Sequence, residues 1–201
     1  MKKEIIIESY SFWKAIQEAE DNGTLVMTFG RFNPPTIGHQ CLFQTMLNTA
    51  TRERGTALVF ASHSQDAKKN PLPYEEKCGF IQKILPKGIK LVRTAARNMI
   101  QILRELKERK FRKLILIVGD DRTDEKIGFG WIDKTKEEFG FNDVKLVSAG
   151  ARSGSSKLQN ASATAMRNAA KEDNYESFVE LSPFDATTTK KLFERLKALL
   201  K

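Results

Sequence analysis

The stretch Thr28 to Gln40, TFGRFNPPTIGHQ, sets a glycine, an arginine, two prolines and a histidine directly behind a strand-like run. That histidine is one of only two in the chain. Gly30 lets the backbone come close to a ligand, and Pro34 and Pro35 stiffen the turn. Thr36 is placed to cap the helix that follows, and the free N–H groups of a helix start form a natural phosphate site. His39 falls in the first turn of that helix, beside whatever anion binds there. A second loop, Ser62 to Lys77 (SHSQDAKKNPLPYEEK), carries Lys68 and Lys69 next to a proline-bounded turn, within reach of a polyphosphate. A third, Ser148 to Arg167 (SAGARSGSSKLQNASATAMR), places Arg152 and Lys157 among small residues. Ser162 then caps a helix whose start offers Thr164 and Arg167. Each feature alone has a plain reading: an incidental histidine, a solvated lysine loop, an ordinary helix cap. Two helix starts and two basic loops, each directly after a strand-like run, together predict a polyphosphate ligand.

The elements that must hold these loops alternate along the chain. Residues 24–30 (TLVMTFG), 56–62 (TALVFAS), 89–95 (IKLVRTA), 113–119 (KLILIVG) and 144–150 (VKLVSAG) are short, β-branched and almost wholly apolar, as strands of a sheet covered on both faces are. Between them, 37–53, 74–85, 96–109 and, less clearly, 122–139 read as helices. In the third of these Met99, Ile102, Leu103 and Leu106 recur at three- and four-residue steps. The expected fold is α/β: a Rossmann-like doubly wound five-stranded parallel sheet with helices on both faces, plus N- and C-terminal helices. Ligands of such folds bind beyond the carboxyl ends of the strands, where the three loops emerge. Residues 1–23 break the alternation and form an N-terminal helical appendage with Phe12, Trp13, Ile16 and Ala19 on its apolar face. The α/β domain runs over 24–182. Residues 183–201 form a C-terminal helix packed on it, following a polar turn at Ser182–Asp185, with Leu192, Leu196, Leu199 and Leu200 turned inward.

Composition bounds the function classes. With 201 residues, 40% hydrophobic and 29% charged, one globular domain with a substantial core is expected. The longest apolar runs, such as Leu114 to Val118, are far too short to span a bilayer, and no signal-peptide cleavage pattern follows the N-terminal lysines. Cys41 and Cys78 lack metal-ligand spacing and read as free thiols in a reducing cytoplasm. The net charge of +9 suits nucleic acid or a ligand with several phosphates; the lysines are spread along the chain, so nucleic acid is the less favoured partner.

These residues carry a resemblance. GRFNPPTIGH resembles the signature of the nucleotidyltransferase superfamily, in which a strand-to-helix loop ends in His-or-Thr, any residue, Gly-His; here it reads Thr36-Ile37-Gly38-His39. ASATAMR is similar to the second signature, usually Ile-Ser-Ser-Thr-x-x-Arg, about 125 residues further on. SQDAKKNPLPYEEK resembles the lysine-bearing loop of pantetheine-phosphate adenylyltransferases, and the combination resembles the cytidylyltransferase-like proteins of tailed bacteriophages, in which case the cytoplasm is the host's. The resemblance covers residues 24–170. It implies transfer of a nucleoside monophosphate from a nucleoside triphosphate to a phosphate-bearing acceptor, with pyrophosphate released and Mg²⁺ arriving with the triphosphate; no protein metal site is implied. Carried over by position, His39 would donate to the α-phosphate, and Thr36 would orient the acceptor or the α-phosphate. Gly30, Arg31, Phe32 and Gly38 would line the nucleotide, as would Gly119 and Asp120 in the turn after the fourth strand. Ser162, Thr164 and Arg167 would hold the β- and γ-phosphates, and Lys68 or Lys69 would face the triphosphate. Ala161 replaces the usual isoleucine of the second signature, Ala163 stands where serine or glycine is common, and Lys77 stands where pantetheine-phosphate adenylyltransferases have arginine. His63 maps to no family position.

An enzyme is therefore the leading expectation, with ATP or CTP as donor and a nicotinamide mononucleotide-like phosphate as one candidate acceptor. The alternative is a catalytically silent nucleotide- or nucleic-acid-binding module with an assembly role. A dinucleotide-dependent oxidoreductase is disfavoured, because no G-x-G-x-x-G follows the first strand. Homo-oligomerisation stays open, since the terminal helices can pad the sheet or form an interface.

Overall fold

A computed structural model describes residues 23–109, 111–119, 129–150 and 161–201. The appendage expected at 1–23 lies almost wholly outside them, as do Asp120, Arg152 and Lys157. The order of elements is β1 (Thr24–Gly30), α1 (Ile37–Glu53), β2 (Thr56–Ala61), α2 (Tyr74–Ile84), β3 (Ile89–Val92), α3 (Met99–Lys107), β4 (Lys113–Val118), α4 (Trp131–Lys134), a 3₁₀ turn (Lys136–Phe139), β5 (Asp143–Ser148), α5 (Ala163–Lys171), α6 (Tyr175–Leu181) and α7 (Ala186–Leu199). The five strands form one parallel sheet in the order β3-β2-β1-β4-β5. This is the Rossmann-like α/β fold that the strand and helix patterns predict.

The described residues fall into two compact units that alternate along the sequence. The first comprises 23–29, 44–60, 86–109, 111–119 and 129–150, and holds nearly all of the sheet. Leu114, Ile115, Leu116, Ile117 and Val118 are all buried, which is why β4 reads as an unbroken apolar run rather than an alternating one. Leu25, Met27, Leu58, Phe60, Leu114 and Leu116 share a core with Met99, Ile102, Leu103 and Leu106 of α3, the apolar stripe visible in the sequence.

Several boundaries differ from the sequence expectation, each for a local reason. β3 stops at Val92, paired with Phe60, because Thr94 turns the chain: its hydroxyl donates to Glu105 and accepts the Ala96 N–H. α3 begins only at Met99, since Asn98 caps it by accepting the Gln101 N–H. Of the expected helix at 122–139, the described part is α4 and the 3₁₀ turn, ended by Gly140 at φ 80°.

The second unit comprises 30–43, 61–85 and 161–201. Its core joins Leu72 and Phe80 to Met166, Ala169, Phe178, Leu181, Leu192, Phe193 and Leu196, from α5, α6 and α7. Helix α6 is an addition to the sequence reading. Asp173 in the left-handed region (φ 57°) ends the turn after α5, and Asn174 restarts a helix by accepting the Ser177 N–H. Arg195 of α7 forms a two-pronged ion pair with Glu76 of α2 at 2.7 and 2.8 Å. No described helix is long and apolar enough to cross a membrane.

Candidate polyphosphate-binding and transfer site

Most of the residues singled out in the sequence lie in the second unit, and they meet there through the 30–36 loop. Gly30 has a packing reason: a Cβ on it would lie 2.7 Å from Cζ of Phe32, whose ring folds back over the backbone. Phe32 has φ 45° and is buried, with its ring 4.9 Å from the His39 ring in an edge contact and 5.5 Å from Phe43. Phe32 is thus the wall against which His39 is set. Gly30→Ala is expected to displace that ring and destabilise the fold by about 1–3 kcal/mol, as overpacked sites do. Urea unfolding measures this, and an unchanged midpoint would show that Phe32 repacks without strain.

His39 is oriented from behind by Thr36. The Thr36 backbone N–H donates to Nδ1 of His39 at 3.0 Å, and the Thr36 hydroxyl lies 3.1 Å from the same nitrogen. A backbone N–H can only donate, so Nδ1 is the acceptor and the neutral ring carries its proton on Nε2. The arrangement is half of a capping box, with histidine in the place usually taken by Glu or Gln. Thr36 closes the helix start with its carbonyl, which accepts from His39 and Gln40, while its hydroxyl faces the ring. At 1% exposure Thr36 is a support for His39. Gly38 has a packing reason too: a Cβ there would lie 3.1 Å from the Ala161 carbonyl oxygen and 3.8 Å from the Ala161 Cβ. The first motif's glycine and the second motif's small first residue therefore let the starts of α1 and α5 approach one another.

Ser162 caps α5 as expected, accepting the Ala165 N–H at 3.0 Å. Arg167 is 8% exposed; its Nη1 donates to the carbonyl of Asn33 at 2.7 Å and its Nη2 to the Thr164 hydroxyl at 3.0 Å. Burial, and after it the neighbouring Arg31, hold this guanidinium below its usual range, with Asp66 opposing. The second loop is built around Asp66. Its carboxylate accepts the N–H of Lys69 at 2.6 Å, the amide of Asn70 at 2.5 Å and the N–H of Lys68 at 2.9 Å; the Lys69 bond leads in bringing its pKa down to about 2. Stacking of His63 on Tyr74, ring centres 3.8 Å apart, closes the base of this loop.

The result is a cavity of about 340 Å³ lined by Arg31, Lys68, Lys69, Thr164, Arg167, Asn168 and Lys171. Five of these seven side chains are cationic and none is a carboxylate, an environment suited to a ligand with several negative charges. Lys68, Lys69, Arg31, Thr164 and Arg167 thus line one cavity, while Thr36, Gly38, His39, Gly30 and Phe32 build the helix start in the same unit. Gly119 follows β4 in the first unit, and Asp120 lies outside the described residues.

Sequence reasoning missed three residues. Asn168 and Lys171 extend the cavity along α5; their steps from Thr164 and Arg167 are those of one helix face, so a signal existed. Asn33 is the third. Its amide donates to the Leu72 carbonyl and accepts the Leu72 N–H, both at 3.0 Å, while its own carbonyl holds Arg167. One side chain and one carbonyl therefore join all three loops.

The sequence matches the cytidylyltransferase-like family over residues 27–177, most of the chain. No curated protein matches it in sequence. Among solved structures, the fold aligns with nicotinic acid mononucleotide adenylyltransferase from Plasmodium falciparum, complexed with APC, at a TM-score of 0.52 and 11% identity over 88% of this chain and 96% of that one. A protein from Streptococcus pneumoniae described as a macrolide-efflux protein aligns at 0.48, with 14% identity over 82% of this chain and 56% of its own. Thermotoga maritima TmcAL bound with alpha-thio ATP aligns at 0.47, with 10% identity over 87% of this chain and 55% of its own. At 11% identity the likeness to the Plasmodium falciparum structure shows the fold alone.

Proposed function

The chain belongs to the cytidylyltransferase-like family, and from that premise we propose that it transfers a nucleoside monophosphate from a nucleoside triphosphate to a phosphate-bearing acceptor. An acceptor phosphate oxygen attacks the α-phosphorus in line, the bond from that phosphorus to the bridging oxygen of the β-phosphate breaks, and pyrophosphate leaves. An ionised phosphate is already a competent nucleophile near neutral pH, so alignment and charge stabilisation carry the rate. His39 donates from Nε2 to the α-phosphate as charge builds on it, and Thr36 holds the ring in that tautomer. Arg31, Lys68, Lys69, Thr164 and Arg167 hold the β- and γ-phosphates, with Asn168 and Lys171 beyond them. Ser162 serves the start of α5 as its cap. Mg²⁺ arrives as a complex with the triphosphate, where it shields the phosphate charge.

The observation that carries this reading is the anchoring of an oriented histidine and a carboxylate-free cationic cavity to one loop, through Asn33 and Arg167. ATP or CTP is the donor, and an acceptor like nicotinamide mononucleotide is one candidate; the Plasmodium falciparum structure of the same fold is named as a nicotinic acid mononucleotide adenylyltransferase. The test is pyrophosphate release with Mg²⁺, each of the four nucleoside triphosphates and a panel of acceptors. The panel includes nicotinamide mononucleotide, phosphopantetheine, flavin mononucleotide, phosphocholine, glycerol phosphate and sugar phosphates. Acceptor-dependent release with one triphosphate is the expected result. Binding of a triphosphate with no release across the panel would favour the silent binding module.

A further inference from the structure

Lys77 is a fully buried lysine that this reaction does not use directly. It sits in the first turn of α2, where the helix dipole disfavours a cation, and burial brings its ammonium down to about 8. A charge so placed weakens the fold unless it holds something in return. Its hydrogen-bond partner is the carbonyl oxygen of Ser62, the first residue after β2. The Ser62 N–H in turn donates to the carbonyl of Gly30, the last residue of β1, at 2.8 Å. The Ser62 hydroxyl is buried in the same knot with no hydrogen-bond partner among the described residues. Two loops set out from this point: 31–36, which carries Arg31, and 63–73, which carries Lys68 and Lys69 and returns to α2.

We infer that Lys77 is a positioning residue for the phosphate cavity: its amine, delivered from α2 to the Ser62 carbonyl, fixes the joint between Gly30 and Ser62 and so sets the placement of Arg31, Lys68 and Lys69. The inference rests on the reading of that cavity as a polyphosphate site. Backbone bonding alone leaves the joint held on the Gly30 side; the amine clamps its other side, from an element that closes the longer loop. An apolar side chain of the same length fills the space without that donor.

The test is titration calorimetry of the full chain with inorganic tripolyphosphate, without metal, for wild type, Lys77→Met and Lys77→Arg, at a temperature where each is fully folded by its unfolding curve. Lys77→Met is expected to bind about tenfold more weakly, because ordering several side chains then falls to the ligand. Lys77→Arg, which keeps an N–H donor, is expected to recover most of that loss. If Lys77→Met does not fold, Lys77→Gln, whose amide is too short to span the same gap, replaces it. A folded Met or Gln variant that binds within twofold of wild type overturns the proposal, since a purely structural lysine shifts the unfolding midpoint and leaves the affinity of folded protein unchanged. An Arg variant as weak as Met overturns it too, by assigning the effect to packing. A wild-type chain that binds no tripolyphosphate sinks the reading of the cavity. Wild-type binding with equal affinity in the variants sinks only the role of Lys77.

Discussion

Replacing His39 by Ala is expected to lower turnover by about 10²–10³, the size seen when one donor to developing charge is removed, while the affinity for tripolyphosphate changes little. The two effects separate because the proposed transfer step and the proposed phosphate binding rest on different groups. His39 is held by Thr36 at the start of α1 with its proton on Nε2, whereas the cavity cations come from Arg31, the 63–73 loop and α5. A donor that strengthens its bond only as charge builds on the α-phosphate affects the chemical step and not ground-state binding. The variant also leaves the Thr36 N–H without its acceptor, a loss of about 1 kcal/mol of the kind seen at helix caps. The folded fraction therefore has to be measured beside kcat. Unchanged turnover in a folded His39→Ala protein would remove His39 from the catalytic role.

Arg167→Ala is expected to act on binding, weakening tripolyphosphate affinity by about 10- to 100-fold, as loss of a charged hydrogen bond worth about 1.5–3 kcal/mol requires. Arg167 does two jobs that one substitution removes together. It contributes a cation to the cavity, and its fork ties Asn33 in the first loop to Thr164 on α5. Truncation also leaves the Asn33 carbonyl unpaired, so part of the loss is slackening of the loop that Asn33 joins to Leu72. Arg167→Lys separates the two contributions. A lysine restores the charge but cannot make both contacts at once, so an affinity between those of Ala and wild type is expected. Isothermal titration with tripolyphosphate decides: unaltered affinity in Arg167→Ala would place Arg167 outside the anion site, and its role would be the Asn33 anchor alone.

How much of this was legible depends on how far apart in sequence the interacting groups lie. The inner strands β1, β2 and β4 were readable because they are buried on both faces and so appear as nearly unbroken apolar runs. Helix α3 was readable from its stripe, but its start was not, since the Thr94 hydroxyl and the Asn98 cap decide that boundary within a few residues. Helix α6 escaped because it is seven residues long, too short for a periodic pattern, and only three residues separate it from α5. Lys171 was within reach of helix geometry, but only the fold sets it in one cavity with Lys68, Lys69 and Arg31.

The sequence by itself determined most of the elements and the α/β class, because hydrophobic periodicity, proline and glycine punctuation and helix caps act over a few residues and leave their mark in order. Only the tertiary structure decided which of the marked residues work together. Asn33 reaches Leu72 and Arg167 across separations of 39 and 134 residues, Gly38 meets Ala161, and Lys77 reaches back to Ser62. Such pairings are set by packing of whole elements, which brings a donor to an acceptor that no local pattern names; the charge of the cavity is likewise a sum over three distant segments. The motifs raise the expectation of a phosphate site; the fold sets five cations around one cavity and holds the His39 ring against Thr36.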